Sequence, residues 1–220
     1  MINLAKAIQY AEKFTSKDKA RQVFTYILVR DGEVISCDTH FMIKCEVGGK
    51  QEPQLINPKG TELLAEPEKY PDVNKFFQTK GFKTNITFDS DTGLKESFKK
   101  LAVIFDTCKK LTIKEELHQV YMKIKGNKLL IFSGEGELIF FEYSVSEFEG
   151  EPICCAFNAD YLSRVCKVIA DVNPSTVDMY FFKGGTVLIK MDSVQIYGCG
   201  INLGKAEWLV QKAEKYCGVE

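Results

Sequence analysis

Two stretches of this chain carry one apolar pattern 94 residues apart, and that repetition limits the folds open to it. Residues 4–14 place Leu4, Ala7, Ile8, Ala11 and Phe14 at helical spacing. Residues 98–108 repeat the pattern with Phe98, Leu101, Ala102, Phe105 and Cys108. An apolar hairpin follows each stretch. The first is Val23–Arg30 and Val34–Cys37 about Asp31-Gly32; the second is Val120–Lys125 and Leu129–Phe132 about Gly126-Asn127. The hairpins stand 95 residues apart, so the two units agree to one residue. A further strand closes each unit, Phe41–Val47 and Leu138–Val145.

A third unit follows. Asn158 is the expected N-cap of a helix striped by Tyr161, Leu162, Val165, Val168 and Ile169, and Asn173-Pro174 stops it. Val177–Phe182, the turn Gly184-Gly185 and Thr186–Met191 make a hairpin, and Val194–Cys199 is the last strand. Helix, strand, strand, strand, three times over, predicts an α+β fold of antiparallel sheets with helices on one face. Between the first two units, Gln51–Ser90 is punctuated by Pro53, Pro58, Pro67 and Pro71 and reads as a boundary. The tail Lys205–Tyr216 is charged and helix-prone, with Trp208, Leu209 and Ala213 on one side.

The chemistry-bearing residues are sparse. No G-x-x-x-x-G-K-[ST], G-x-G-x-x-G or G-x-S-x-G occurs, so the common phosphate cradles and nucleophile elbows are missing. There are eight cysteines and two histidines, and no cysteine pair has zinc-site spacing. The cysteines read as reduced thiols serving as small hydrophobes. Asp38 beside His40 is either an acid–base pair or a polar strand end, and Asp89 with Asp91 is either a solvated turn or a metal site. The expectation is no enzyme: no catalytic residue, no cofactor and no metal. No apolar run approaches the ~18 residues that span a bilayer. The first residues lack the basic and apolar regions of a signal peptide, so a cytoplasmic chain without membrane partners is expected.

Charge is unevenly spread. Residues 1–22 carry a net +3, with Lys6, Lys13, Lys17, Lys19 and Arg21 outweighing Glu12 and Asp18. Residues 94–110 also carry +3, yet the chain as a whole is −1. The third helix sets Arg164 and Lys167 against Asp160 and Asp171 and is neutral. At ~100° per residue, Lys6, Lys13 and Lys17 fall opposite the Leu4/Ile8/Ala11 stripe. A lysine face is ordinarily the wet side of a helix. Two equivalent helices charged alike in an acidic chain also suit phosphate contact without base readout.

These units resemble the bacterial sliding clamp family, the beta subunit of DNA polymerase III. Ser36-Cys37-Asp38-Thr39-His40-Phe41-Met42 resembles the family's A-T-D-G-H-R-L strand end. Pro58-Lys59-Gly60 with Glu62-Leu63 resembles P-R-K-G-x-x-E-L, and Tyr70-Pro71-Asp72-Val73 resembles F/Y-P-D-Y. Phe157-Asn158-Ala159-Asp160-Tyr161-Leu162 resembles F-N-x-x-Y-L. The motifs run in the family's order over roughly residues 1–202. The resemblance implies a shortened middle domain over 1–83, a complete final domain over 84–202 and an added helical tail over 203–220. There is no room between Leu64 and Tyr70 for the middle domain's second helix, and the family's first domain has no counterpart.

What the resemblance implies for function follows residue by residue. The helices would face double-stranded DNA through Lys6, Lys13, Lys17, Lys99 and Lys100, with Arg164 and Lys167 contributing less. A pocket for short peptides of polymerases or clamp loaders would use Thr39, His40, Met42, Pro71, Lys75 and Phe76. The family's M-P-M wall of that pocket is replaced here by Cys199-Gly200-Ile201-Asn202, and the tail to Glu220 would cover or replace it. Two readings result. One is a clamp-like processivity protein, a homo-oligomer of the kind a phage or mobile element would carry. The other is a clamp-derived interaction module that modulates a host replication protein without encircling DNA.

Overall fold

The structure, a computed structural model, describes residues 1–58, 63–64, 66–89, 93–111, 119–133 and 140–201. The tail 203–220, Asp91, His118 and most of the Pro58–Leu63 motif lie outside the described residues. The chain folds as two compact units, one built from 1–80 with 188–198, the other from 81–187 with the chain from Cys199 onward. Among the described residues no helix is long and apolar enough to cross a membrane.

The first unit opens with α1 (Leu4–Glu12), then β1 (Ile27–Arg30), β2 (Glu33–Cys37), β3 (Phe41–Glu46), β4 (Gln54–Ile56) and β5 (Leu63–Leu64). The second runs β6 (Thr84–Asp89), α2 (Leu94–Leu111), β7 (Gln119–Lys125), β8 (Lys128–Ser133), β9 (Phe140–Ser144), β10 (Glu147–Gly150), β11 (Ile153–Asn158), α3 (Ala159–Val172) and β12 (Thr176–Phe181). The chain then supplies β13 (Val187–Met191) and β14 (Val194–Gly198), which the first unit takes from Leu188.

In the first unit the strands lie in the order β13-β14-β3-β2-β1-β4-β5. The β1–β2 turn places Asp31 and Gly32 at φ 43° and 77°, the left-handed pair that a tight hairpin demands. Helix α1 starts where Asn3 accepts the amide N–H of Lys6 at 2.8 Å. It seats Ala7, Tyr10 and Ala11 against the sheet. A buried bond fixes it there, the Ser36 hydroxyl donating to the Ala11 carbonyl at 2.6 Å. Gly198 sits opposite Phe41, and a Cβ at 198 would stand 2.2 Å from the Phe41 ring, so only glycine fits.

In the second unit the four-stranded sheet is β11-β7-β8-β9, and β10, β6 and β12 run side by side in that order. The two helical repeats exchange their leading strands. Strand β6, before α2, pairs with β12, after α3; β11, before α3, pairs with β7, after α2. In the first unit β4 stands beside β1 just as β11 stands beside β7. The α1 and α2 segments therefore begin equivalent runs of three antiparallel strands, as the 94-residue repeat predicts. Five strands were not foreseen: β4 and β5, which lie with β6 in the stretch read as a boundary, and β6, β10 and β11. The predicted third strand of the second unit ends as expected but begins outside the described residues.

Candidate nucleic-acid interface

Helix α1 stops at Glu12, which changes the expected lysine row. Lys13 is the C-cap, and Lys17 lies beyond the helix rather than on its wet face. Ser16 and Asp18 favour local side-chain bonding over a further helical turn; Ser16 accepts the N–H of Asp18, and Asp18 accepts the N–H of Ala20 and opens a 3-10 turn, Lys19–Thr25. Lys6 is half-buried, and its ammonium sits 5.2 Å from the Tyr10 ring centroid, with that of Lys13 5.8 Å from the same ring. One buried tyrosine thus holds two cations at the helix surface.

Helix α2, Leu94–Leu111, runs beyond the 98–108 stripe at both ends. It buries Leu94, Phe98, Leu101, Ala102, Phe105 and Cys108 and exposes Lys95, Lys99, Lys100, Lys109 and Lys110. Lys99 pairs with Glu96 at 2.7 Å, both side chains largely in water. Such a pair is worth little and yields readily to a competing anion. Among the described residues Lys95, Lys100 and Lys110 enter no ion pair. Val103 is 65% exposed on the same face. Beside it a groove of about 580 Å³ is lined by Ile104, Phe141 and Tyr143, with Lys99 and Lys100 at its rim.

Helix α3 begins at Asn158, as predicted, whose side chain accepts the Asp160 N–H at 2.8 Å. Its cations are committed elsewhere. Arg164 donates to Asp160 at 2.6 Å and lies 4.5 Å over the Tyr161 ring. Lys109 of α2 donates to the other Asp160 oxygen at 2.6 Å. Asp106 of α2 accepts from Ser163 at 2.7 Å and from Lys167 at 2.8 Å. The two helices are laced together by this ladder, so Arg164 and Lys167 act first as struts between α2 and α3.

The ladder has a titration signature. Burial opposes ionisation of Asp160, but the hydrogen bonds from Lys109 and Arg164 outweigh it and draw its carboxyl down to about 2. Asp106 is likewise held below the usual range; burial raises it, and Lys167 and Ser163 more than offset that. A carboxyl lowered on folding stabilises above its unfolded pKa, and that stabilisation disappears as pH falls to the folded value. Asp160 therefore contributes about 1 kcal/mol after solvent screening, lost between about pH 4 and pH 2. Melting curves should show Asp160→Asn less stable than the parent at pH 7 and the gap closing through that window.

The residues of the expected peptide pocket fall into two places. Met42 on β3 stands opposite Tyr197 on β14, and Phe76 packs on Tyr197 with ring centroids 5.2 Å apart. The Lys75 ammonium lies 5.1 Å from the Phe76 ring centroid. Tyr197, which sequence reasoning missed, is the centre of this cluster. Thr39 and His40 sit instead on the β2–β3 turn, and Pro71 stands exposed beside the buried Tyr70. Asp38 shapes that turn by accepting the N–H groups of His40 and Phe41 at 3.0 and 2.8 Å. Its carboxylate is engaged in turn-making, which favours the structural reading of the Asp38–His40 pair.

Thr39 takes φ 81°, a region that β-branched residues avoid. Such strain costs of order 1–3 kcal/mol. Thr39→Gly is expected to raise stability by about 1 kcal/mol, the relieved strain exceeding the entropy glycine loses on folding. A denaturation midpoint at or below that of the parent would refute it.

Among known proteins, no family model and no curated protein matches the chain. Solved structures do match. A DNA polymerase sliding clamp from Bacillus subtilis superposes with a TM-score of 0.65 at 16% identity, covering 89% of this chain and 61% of that one. A DNA polymerase III beta chain from Streptococcus pneumoniae gives 0.68 at 15% identity, covering 90% and 62%. The DNA polymerase III subunit beta from Pseudomonas aeruginosa gives 0.68 at 15%, covering 91% and 65%. The chain has a sliding-clamp-like fold and spans less than two thirds of each of these clamps.

Proposed function

We propose that the chain is a non-enzymatic, clamp-like replication accessory protein that touches duplex DNA without reading sequence and tethers a polymerase or loader-type partner. The observation that carries this is the recurrence of one helix-plus-three-strand unit, with lysines on and just past α1 and exposed along α2, in a fold shared with solved sliding clamps. Lysine on a long stem gives the weak, uniform phosphate contact that sliding needs. Lys6, Lys13, Lys17, Lys99 and Lys100 are the DNA-facing set, with Arg164 and Lys167 secondary. In this reading 1–83 is a shortened middle domain, 84–202 a complete final domain, and Met42, Lys75 and Phe76 hold partner peptides with Thr39, His40 and Pro71 at the margin.

A specific observation favours a second reading. The α3 cations are spent on Asp106 and Asp160, and an apolar groove opens beside Lys100. Phosphate contact has no use for that groove, whereas a protein partner does. The chain would then be an interaction module acting on a replication protein.

Light scattering and anisotropy with a labelled duplex separate the two. The first reading expects an oligomer and binding indifferent to sequence that weakens linearly in log K against log salt. A strict monomer that leaves the duplex free at low salt overturns it and favours the second.

A further inference from the structure

Val103 stands on the exposed face of α2 with an apolar groove on either side. One is the groove of about 580 Å³ that Ile104, Phe141 and Tyr143 line. The other, of about 430 Å³, runs between α2 and α3 past Ala102 and Ala170. Lys99 rims both. Lys95, Lys99 and Val103 follow one another at i, i+4 spacing, so cations and apolar ridge share one helix face. Apolar clefts with a few convergent polar groups are the usual form of a binding site.

The rim of the larger groove selects its occupant. Its one carboxylate, Glu142, is already paired with Lys128 at 2.8 Å. Lys100 enters no ion pair among the described residues, and the pair that Lys99 makes with Glu96 is exposed and weak. Two ammonium groups above an apolar floor complement carboxylates that flank apolar side chains. Strand β9 supplies the backbone. It is the last strand of the β11-β7-β8-β9 sheet and turns Phe141 and Tyr143 toward the groove. An extended segment laid along such an edge takes main-chain hydrogen bonds and sets every second side chain on the groove. A second copy seated groove to groove would instead bring Lys99 and Lys100 against their own counterparts, which like charge opposes.

We infer that the α2–β9 groove docks an extended segment of a partner protein, its alternate apolar residues seated on Val103, Ile104, Phe141 and Tyr143 and its flanking Asp or Glu residues on Lys99 and Lys100. The inference rests on the second reading above, in which the chain acts through a protein partner, and it names the chemistry of that partner's contact.

The probe is a random-peptide phage library panned against the full-length protein, with the selected sequences remade as fluorescein-labelled peptides for anisotropy. Expected are peptides with apolar residues at alternate positions bounded by Asp or Glu, bound less tightly as salt rises. Val103→Asp should weaken them at least about tenfold, and so should Lys99→Glu with Lys100→Glu. Lys110→Glu, exposed in the last turn of α2, should leave them within about twofold. Should Val103→Asp lower the melting midpoint, the lysine pair still decides the matter. Peptides flanked by Lys or Arg overturn the inference. Acidic peptides that bind Val103→Asp and the lysine pair as well as the parent also overturn it, yet keep the second reading by placing the partner on another surface. An oligomer that Val103→Asp dissociates assigns the groove to a second copy and overturns it too. No selected peptide at all, from an oligomer that binds duplex in a salt-sensitive way, removes both the inference and the second reading.

Discussion

Reversing Lys6, Lys13, Lys99 and Lys100 to glutamate together is expected to weaken duplex binding on the order of 100-fold or more at physiological salt, and to flatten the log–log salt slope by about 4. The reason is geometric. The ammonium groups of Lys6 and Lys13 lie 5.2 and 5.8 Å from the centroid of the buried Tyr10 ring. Lys100 carries no ion pair among the described residues, and Lys99 has only an exposed i,i+3 partner. Lys100, and Lys99 once its exposed pair yields, can exchange a counterion for a phosphate. Arg164→Gln and Lys167→Gln should behave differently. Those cations already face Asp160 and Asp106 at 2.6 and 2.8 Å, so their loss should lower the slope by less than one and show instead in the stability of the α2–α3 pair. Anisotropy titrations from low to moderate salt test both halves. Equal losses from the two sets would mean the ion ladder opens on DNA, and an unchanged slope in the fourfold variant would remove the lysine face from the mechanism.

The architecture was largely legible because its signals are physical ones repeated along the chain. A helical stripe followed by an Asp-Gly or Gly-Asn hairpin leaves few alternatives, and both copies folded that way. The failures have particular causes. Strand β6 alternates as a half-buried strand should, but it lies in a Pro- and Gly-punctuated stretch that reads as linker. Strand β11 is a short, mostly apolar run, Ile153–Asn158, without the alternation that marks a strand with one wet face. The α1 stripe includes Phe14, which is buried but sits in a turn past the helix end, so apolar periodicity overshot the backbone and carried Lys17 with it. Of the site, lysine-bearing faces could be read from periodicity, but their pairing could not. Asp106 and Asp160 meet α3 and α2 cations across more than 50 residues of sequence, a fact of packing alone. The strain at Thr39 had one sequence signal, the glycine that the resembling family motif carries at that place.

Phe98→Ala is expected to cost about 3–5 kcal/mol of stability in the second unit. Phe98 is 1% exposed and meets Phe88 of β6 edge to face at 5.4 Å, so the ring joins α2 to the strand that precedes it. Truncation removes its apolar contacts and leaves a void that packed neighbours on α2 and β6 fill only in part. Val103 on the same helix is 65% exposed, and Val103→Ala should change stability by less than about 0.5 kcal/mol. Comparing the two isolates docking from helix propensity, because both place alanine in the interior of α2. Denaturant unfolding should give Phe98→Ala a much lower midpoint, with Val103→Ala close to the parent. Because Phe98 and Phe88 both belong to the second unit, a two-step unfolding curve should lose stability in one step only. A Phe98→Ala loss below about 1 kcal/mol would mean that α2 is not seated on β6 through this ring.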